Sequence, residues 1–318
     1  MRRFDVFNGD ADGICALHQL RLALPVDSEL VTGIKRDTAL LQRVDAGVGD
    51  EVTVLDLSID NNREALMRLL GRGARVRWFD HHHGGDVPAH FGLNATIDVS
   101  HLVCTSMLVD RHLAGRFRSW AIVAAYGDNL PGPARALAAT LRLGEAAIAT
   151  LRELGTDLNY GACGETLADV LLPPLETYRL VSRHRDPLTL RDEPLMARLA
   201  ESRRADLANL EGIAPRRTDP HAEAYVLPDA AWSRRVMSTF ANRLANADPG
   251  RAHAVLVPNA QGGYGASVRT PAGGPGAAHF CQRFPTGGGR ARAAGLQDLP
   301  GDCLEEFLDA LAVAWRRG

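Results

Sequence analysis

Short strands and helices alternate through the first part of the chain, and this alternation is what most limits its fold. Five segments have the length and apolar pattern of β-strands: 3–7, 29–34, 51–57, 74–79 and 93–98. Segments 14–24 and 61–71 have the periodicity of helices. Strands that alternate with helices predict βαβ units, a parallel sheet and right-handed crossovers.

The tripeptide Asp80-His81-His82 stands at the end of the strand 74–79, with His83 behind it and Gly84-Gly85 ending regular structure. Open α/β sheets hold their ligands at the carboxyl ends of the strands. A carboxylate beside imidazoles at this point therefore indicates a functional site. Taken alone, the tripeptide is also compatible with a polar loop or a chance run of histidines, and aspartates at other element ends favour the site.

Two aspartates lie in the turn after the first strand. Asp10 and Asp12 are two residues apart, in a turn flanked by glycines. Asp12 alone could cap the helix 14–24. Capping does not explain Asp10, and two carboxylates in one turn repel each other unless something positive lies between them. A divalent cation is the natural candidate.

Two further acidic positions lie at element ends. Asp56 falls inside or at the end of an apolar strand, where an unpaired carboxylate would be costly, so it either accepts backbone N–H groups or binds a cation. Asp128 follows Gly127 after the apolar segment 121–126. Both positions resemble the Asp10 turn in placing a carboxylate where regular structure stops.

Carboxylates and imidazoles make up the whole set of candidate site residues: Asp10, Asp12, Asp56, Asp80, His81, His82 and Asp128. This mixture suits manganese, magnesium or iron better than a closed structural zinc site, which would favour cysteine. Two ions about 3.5–4 Å apart, bridged by one carboxylate, would activate a water for in-line displacement at phosphorus. Asp56 is the predicted bridge because it belongs to a rigid strand.

Amino-acid composition limits which molecules the protein is expected to bind. The chain has 36 basic and 38 acidic residues and a net charge of −2, so we expect no long duplex DNA as ligand. Lys35 is the sole lysine, all other basic residues being arginine. The five cysteines lack CxxC spacing, no secretory signal is visible, and no segment approaches the roughly 18 apolar residues of a membrane span. We expect a soluble cytoplasmic protein without membrane contact.

The length of 318 residues favours about two domains. We predict a first domain at 1–185, a charged linker with a connecting helix at 186–225 and a smaller α/β domain at 226–318. The second domain is expected to contain an amphipathic helix at 229–246, strands at 252–258 and 264–269, a short helix at 277–284, a glycine turn at 287–290 and a closing helix at 304–315.

The ordered motifs resemble those of the DHH-superfamily phosphoesterases, in particular RecJ-like and nanoRNase-like members. Asp10-Ala11-Asp12-Gly13 is similar to the first motif, Asp56 to the second, Asp80-His81-His82 to the third and Gly127-Asp128-Asn129 to the fourth. The segment 104–109 is similar to the helix start that follows the third motif. The resemblance implies an α/β fold in which a parallel-sheet DHH domain and a smaller C-terminal domain flank an active-site cleft.

The resemblance also implies roles for the site residues. Asp10 and Asp56 would hold one ion, and Asp12, Asp56, His81 and Asp128 the other, with Mn²⁺ favoured over Mg²⁺. Asp80 would orient a histidine, and His82 would lie near the scissile phosphate. His83 receives no role, and a partly exposed loop histidine is the better description of it.

The C-terminal part resembles the DHH-associated substrate-binding domain. The residues that carry this resemblance are Arg269, Gly287, Gly288, Gly289 and Arg290. Glycines let backbone N–H groups approach an anion, and arginines add bidentate contacts. Two positions depart from the family pattern: Asn8 stands where many relatives have His or Asp, and Arg290 stands where many have His. Asn8 therefore makes the full ligand set of one ion uncertain. Arg290 makes it uncertain whether the substrate preference of the family carries over.

The sequence therefore predicts a hydrolase: a manganese-dependent phosphoesterase acting on small nucleotides or short single-stranded oligonucleotides through a two-metal-activated water. A pyrophosphatase or polyphosphatase is the alternative among enzymes. A nucleotide-binding protein with a decayed site, Asn8 being the first lost ligand, is the alternative outside them. The sequence leaves a homodimer open.

Overall fold

The computed structural model describes residues 1–82, 85–272 and 274–315. The chain divides into two compact units, Met1–Glu201 and Ser202–Gly318. Among the described residues, no helix combines the length and the apolar character needed to cross a membrane.

The first unit is built on a sheet of five strands in the order β2-β1-β3-β4-β5. The strands are β1 (Arg3–Asn8), β2 (Glu29–Gly33), β3 (Glu51–Leu55), β4 (Arg75–Asp80) and β5 (Leu93–Ile97). Every pair of neighbours is parallel, so the predicted α/β parallel sheet is confirmed. The order reverses direction beside β1, where doubly wound sheets open a crevice at the strands' carboxyl ends.

Helices of the first unit follow and cover this sheet: α1 (Ala11–Ala23), α2 (Ile59–Gly71), α3 (Thr105–His112), α4 (Arg118–Gly127), α5 (Pro131–Thr140), α6 (Glu145–Gly161) and α7 (Pro174–Val181). Successive β1 residues face opposite sides, because side chains alternate along a strand. Phe7 belongs to an apolar cluster with Leu17 and Trp120, whereas Val6 belongs to another with Leu66 and Trp78. Both faces of the sheet are therefore buried, as parallel sheets require.

The segment 186–225, predicted as a linker, contains regular structure. Its charge and weak apolar periodicity predicted a connecting helix and linker, and it holds a short 3₁₀ helix (Pro187–Asp192), α8 (Pro194–Ala208) and the start of the second sheet. Leu190 in the 3₁₀ helix is fully buried in the core of the first unit. The second sheet begins at Arg217, inside the segment predicted as a linker.

The second unit contains a mixed sheet of six strands in the order β10-β11-β9-β8-β7-β6. They are β6 (Arg217–Asp219), β7 (Ala222–Val226), β8 (Ala252–Pro258), β9 (Tyr264–Arg269), β10 (Gly287–Gly289) and β11 (Ala293–Leu299). Among these described strands, only β7 and β8 pair in parallel. Helices α9 (Ala231–Ala247), α10 (Ala277–Cys281) and α11 (Leu304–Ala314) complete the unit.

The glycine run is a strand, not the predicted turn. Gly287–Gly289 forms β10 and pairs antiparallel with β11. A Cβ at Gly287 would lie 1.9 Å from the Cys281 carbonyl oxygen. Gly289 has a φ of 138°, and its Cβ would lie 2.5 Å from the Ala294 Cα. Close backbone approach therefore requires glycine at these two positions, whereas a Cβ at Gly288 would meet nothing within 4 Å.

This difference provides a matched pair of variants. Gly287→Ala should lower the free energy of unfolding of the second unit by roughly 2 kcal/mol or more, because the methyl group collides with backbone. Gly288→Ala should change it by no more than about 0.5 kcal/mol. Hydrogen exchange of the β11 amides, recorded at increasing denaturant concentration, measures the free energy of unfolding of both variants. Equal effects of the two substitutions would contradict the packing explanation.

Candidate metal centre

The predicted site residues of the first unit lie where the sheet's neighbouring strands end. Asp10 follows β1 and caps α1, Asp56 follows β3, and Asp80 is the last residue of β4. Asp128 ends α4 as its C-cap residue. β1, β3 and β4 are adjacent and parallel, so their carboxyl ends open on the same edge. The structure thus brings together acidic groups that are far apart in sequence.

His81 lies at the centre of this cluster. Its Nδ1–H donates to the Val103 carbonyl oxygen at 2.7 Å, which leaves Nε2 to face the carboxylates. Nε2 lies 3.4 Å from Asp56 Oδ1, 3.8 Å from Asp128 Oδ2 and 3.9 Å from Asp12 Oδ2. A backbone acceptor that orients an imidazole in this way is typical of histidines that bind metals.

Each of these separations fits two ligands of one divalent ion. Two donors bonded to one ion at about 2.1 Å lie about 3.0 Å apart at a right angle and about 4.2 Å apart on opposite sides. The three nitrogen–oxygen distances around His81 fall inside this range. Oxygen donors with one imidazole suit Mn²⁺ or Mg²⁺. Asp12, Asp56 and Asp128 thus each lie close to His81, and their assignment to one ion remains a prediction.

His82 extends the cluster. Among the described residues, Asp56, His81 and His82 can each offer a ligand atom such that the three atoms lie within 4.8 Å of one another. His82 Nδ1–H donates to Asp80 Oδ1 at 2.7 Å. Asp80 is fully buried, and its Oδ2 has no hydrogen-bond partner within the described part of the chain. This contact matches the predicted role of Asp80 in orienting a histidine.

Asp12 is held by the start of α3. The Thr105 and Ser106 backbone N–H groups donate to its two carboxylate oxygens, each at 2.7 Å. Burial and the charge of nearby Asp56 nevertheless raise the pKa of Asp12 to about 8 in the absence of a metal. A bound cation would remove this penalty by stabilising the carboxylate.

Asp56 adopts a left-handed backbone conformation with a φ of 60°. Such a conformation costs about 1–3 kcal/mol for a residue other than glycine, and it is typical of functional sites. The Asp56 N–H donates to the Phe79 carbonyl oxygen at 3.0 Å, and the Thr105 hydroxyl donates to its carboxylate at 3.0 Å. Burial would raise the pKa of Asp56, but the His81 hydrogen bond and the nearby positive charges lower it.

Lys35, which no sequence motif placed at the site, bonds directly to Asp10. Its Nζ donates to Asp10 Oδ2 at 2.6 Å and to Asn159 Oδ1 at 3.0 Å. Lys35 follows β2, which neighbours β1, so the two residues meet at one edge. The available signal was the position of the chain's sole lysine just after a predicted strand.

Asn8 lies beside this pair. Its Oδ1 accepts the Asp10 backbone N–H at 3.2 Å, and its Nδ2 donates to the Lys35 carbonyl oxygen at 3.4 Å. The side chain thus bridges the two backbone segments. His83, which was given no role, lies outside the described residues.

The predicted substrate residues belong to the second unit. Arg269 Nε donates to Asn242 Oδ1 at 2.6 Å, and its Nη1 donates to the Ser267 hydroxyl at 3.0 Å. The Arg290 N–H donates to the Ala293 carbonyl oxygen at 2.8 Å and closes the β10–β11 hairpin. Their predicted role in substrate binding remains a prediction.

No protein-family model and no curated protein matches the chain. Solved structures do match it. The manganese-bound exonuclease RecJ has a TM-score of 0.64 and 19% identity over 100% of this chain and 91% of its own. RecJ from Thermus thermophilus in complex with Mn²⁺ has a TM-score of 0.66 and 21% identity, and the match spans 100% of this chain but 52% of that protein.

A pGpG-specific phosphodiesterase, PggH from Vibrio cholerae, matches with a TM-score of 0.56 and 12% identity over 98% of both chains. These proteins are members of the DHH superfamily. The chain has the two-domain DHH fold. The predicted resemblance is thereby confirmed for the DHH fold. Sequence identities this low show the fold alone, so the roles of individual residues rest on the chemistry of the site.

Metal binding should expel protons from this centre. Burial alone would lower the pKa of His81, but its hydrogen bond to Asp56 and the charges of Asp128 and Asp12 outweigh burial and raise it to about 10. The His81–Asp12 pair therefore holds protons at neutral pH in the metal-free chain. A divalent ion must displace them, so its apparent affinity should rise as pH rises from about 6 to 8, by up to roughly tenfold per pH unit for each proton released.

Calorimetric titration of metal-stripped protein with Mn²⁺, in buffers of different ionisation enthalpy, counts the released protons. His101→Gln, an exposed histidine of the first unit, is the control and should behave as the unaltered chain does. An affinity that does not change with pH, or an enthalpy that does not depend on the buffer, would contradict the assignment.

Proposed function

We propose that the protein is a divalent-metal-dependent phosphoesterase, with Mn²⁺ as its preferred ion. The observation that supports this most is the arrangement of His81 Nε2 against Asp12, Asp56 and Asp128, with all three carboxylate oxygens 3.4–3.9 Å away. A divalent ion bound there supplies a Lewis acid for a phosphoryl oxygen and lowers the pKa of a coordinated water. The DHH fold supports the same class of reaction.

His82 is the residue best placed to act on the substrate. Its side chain is 37% exposed, whereas His81 is buried. Asp80 fixes the ring through Nδ1, so the other ring nitrogen is left for an incoming group. Burial would lower the pKa of His82, but the Asp80 charge raises it, which favours the protonated ring. A protonated His82 can donate to a phosphoryl oxygen or a leaving group.

Small nucleotides or short single-stranded oligonucleotides are the proposed substrates. The net charge of −2 provides no overall attraction for a long polyanion. RecJ is named as an exonuclease and PggH as a pGpG-specific phosphodiesterase, so the fold is used for such ligands elsewhere. In the second unit, Arg269, Gly288 and Arg290 are the proposed contacts to the substrate, because Gly287 and Gly289 already have packing reasons to be glycine.

Asp56→Asn tests the metal centre. Asparagine keeps the size of the side chain and tolerates a left-handed backbone, so the fold should persist. The loss of the carboxylate charge should reduce Mn²⁺-dependent kcat/KM by on the order of 100-fold or more. Asp60→Asn, which removes an exposed carboxylate in α2, is the matched control and should leave turnover unchanged. Full activity in Asp56→Asn would contradict the site.

A substrate panel distinguishes the proposed activity from phosphoanhydride hydrolysis. It contains a short RNA, a linear dinucleotide, a cyclic dinucleotide, 3′-phosphoadenosine 5′-phosphate and pyrophosphate, each assayed with Mn²⁺. Release of mononucleotide or phosphate from a nucleotide substrate, lost in Asp56→Asn, is the expected result. Turnover of pyrophosphate alone would favour the pyrophosphatase instead, and silence with no metal bound would favour a binding protein.

A further inference from the structure

Asp10 differs from the other buried carboxylates of the centre because a lysine ammonium already bonds to it. Oδ1 accepts the backbone N–H groups of Asp12 and Gly13 at 3.0 and 3.2 Å and so caps α1. Oδ2 accepts the Lys35 ammonium at 2.6 Å. His81 Nε2 has its three carboxylate neighbours without Asp10. Asp10 is therefore engaged before any metal arrives.

The Lys35 ammonium has a built position. It lies between Asp10, which is fixed at the start of α1, and Asn159 on α6. A divalent ion bound to Asp10 Oδ2 would sit about 2.1 Å from that oxygen. The ammonium nitrogen lies 2.6 Å from the same oxygen, so an ion and the ammonium would compete for it.

The residue beside this position adds no charge. Asn8 is a neutral carboxamide, and its two polar atoms are directed to the backbone of Asp10 and Lys35. These two bonds hold together the chain segments that carry the ion pair. Asn8 thus supports the Lys35–Asp10 pair, and a second ion would have to break it.

We propose that the Lys35 ammonium takes the place of a divalent ion at Asp10, so that the centre holds a single divalent ion on the His81 side. This inference rests on the proposed metal centre and changes the expected count of two ions. Four buried or nearly buried carboxylates, Asp10, Asp12, Asp56 and Asp128, need positive charge in their midst. One divalent ion and one covalently attached ammonium supply it.

The arrangement also gives Lys35 a role toward the substrate. An ammonium has three N–H donors, and Asp10 and Asn159 accept two of them. The Lys35 side chain keeps 35% of its surface exposed, so the third donor can reach an anionic oxygen of a bound phosphoester. Lys35 is then a permanent point charge at the site, independent of the metal concentration.

Counting ions in metal-stripped protein tests the proposal without any assay of activity. Mn²⁺ is titrated into the whole chain, and electron paramagnetic resonance reports both free Mn²⁺ and magnetic coupling between bound ions. The unaltered chain should bind about one Mn²⁺ with an uncoupled signal, while Lys35→Met should bind about two that are coupled, as expected for ions about 3.5–4 Å apart.

Two variants control for charge and for folding. Lys35→Arg keeps the cation and should still bind about one ion. Arg43→Met removes an exposed cation that pairs with Asp37 and should also leave the count at about one. Because the count for the unaltered chain is itself informative, the test stands even if Lys35→Met fails to fold.

Two coupled ions in the unaltered chain would overturn the inference and leave the metal-dependent function in place. A Lys35→Met chain that folds and still binds a single ion would also overturn it, because Lys35 would then exclude nothing. Absence of Mn²⁺ binding in the unaltered chain would instead refute the proposed metal centre, and the inference with it.

Discussion

The burial of several like charges around His81 is the constraint on which the rest of the first unit depends. Asp10, Asp12 and Asp56 are each less than 5% exposed, and carboxylates so close together are stable only when positive or hydrogen-bonding groups surround them. A different group of the protein stabilises each of these carboxylates. The start of α3 holds Asp12, the Lys35 ammonium holds Asp10, and His81 and the Thr105 hydroxyl hold Asp56. The divalent ion that we propose would supply further positive charge among these carboxylates.

The sheet makes this cluster possible. Strands β1, β3 and β4 are parallel, so their carboxyl ends lie at one edge of the sheet. The apolar clusters on the two faces fix the register of these strands. A shift of one residue in β1 would exchange Val6 and Phe7 between the two clusters and displace the Asp10 turn. The precision of the polar site therefore depends on the apolar core beneath it.

Much of this arrangement could be predicted because local sequence patterns carry it. The alternation of strands and helices predicted the parallel sheet. The aspartates at the ends of these elements predicted the cluster around His81. Lys35 could not be placed, because its contact with Asp10 depends on β2 lying beside β1, and strand order is a property of the whole fold. The left-handed backbone conformation of Asp56 could not be predicted either, because no residue pattern in an apolar strand requires it.

The second unit was harder to predict for physical reasons of its own. β7 and β11 are rich in small residues, so hydrophobic alternation is weak in both. Gly287–Gly289 resembled a turn because glycine usually marks one, whereas here close backbone approach demands it. Such packing reasons appear only when the neighbouring strand is in place.

Anomalous diffraction from crystals soaked with Mn²⁺ tests the central claim most directly, because it locates the ion without reference to activity. The account predicts a manganese peak within bonding distance of His81 Nε2 and of carboxylate oxygens from Asp12, Asp56 and Asp128. A fully occupied peak elsewhere, with none beside His81, would contradict it.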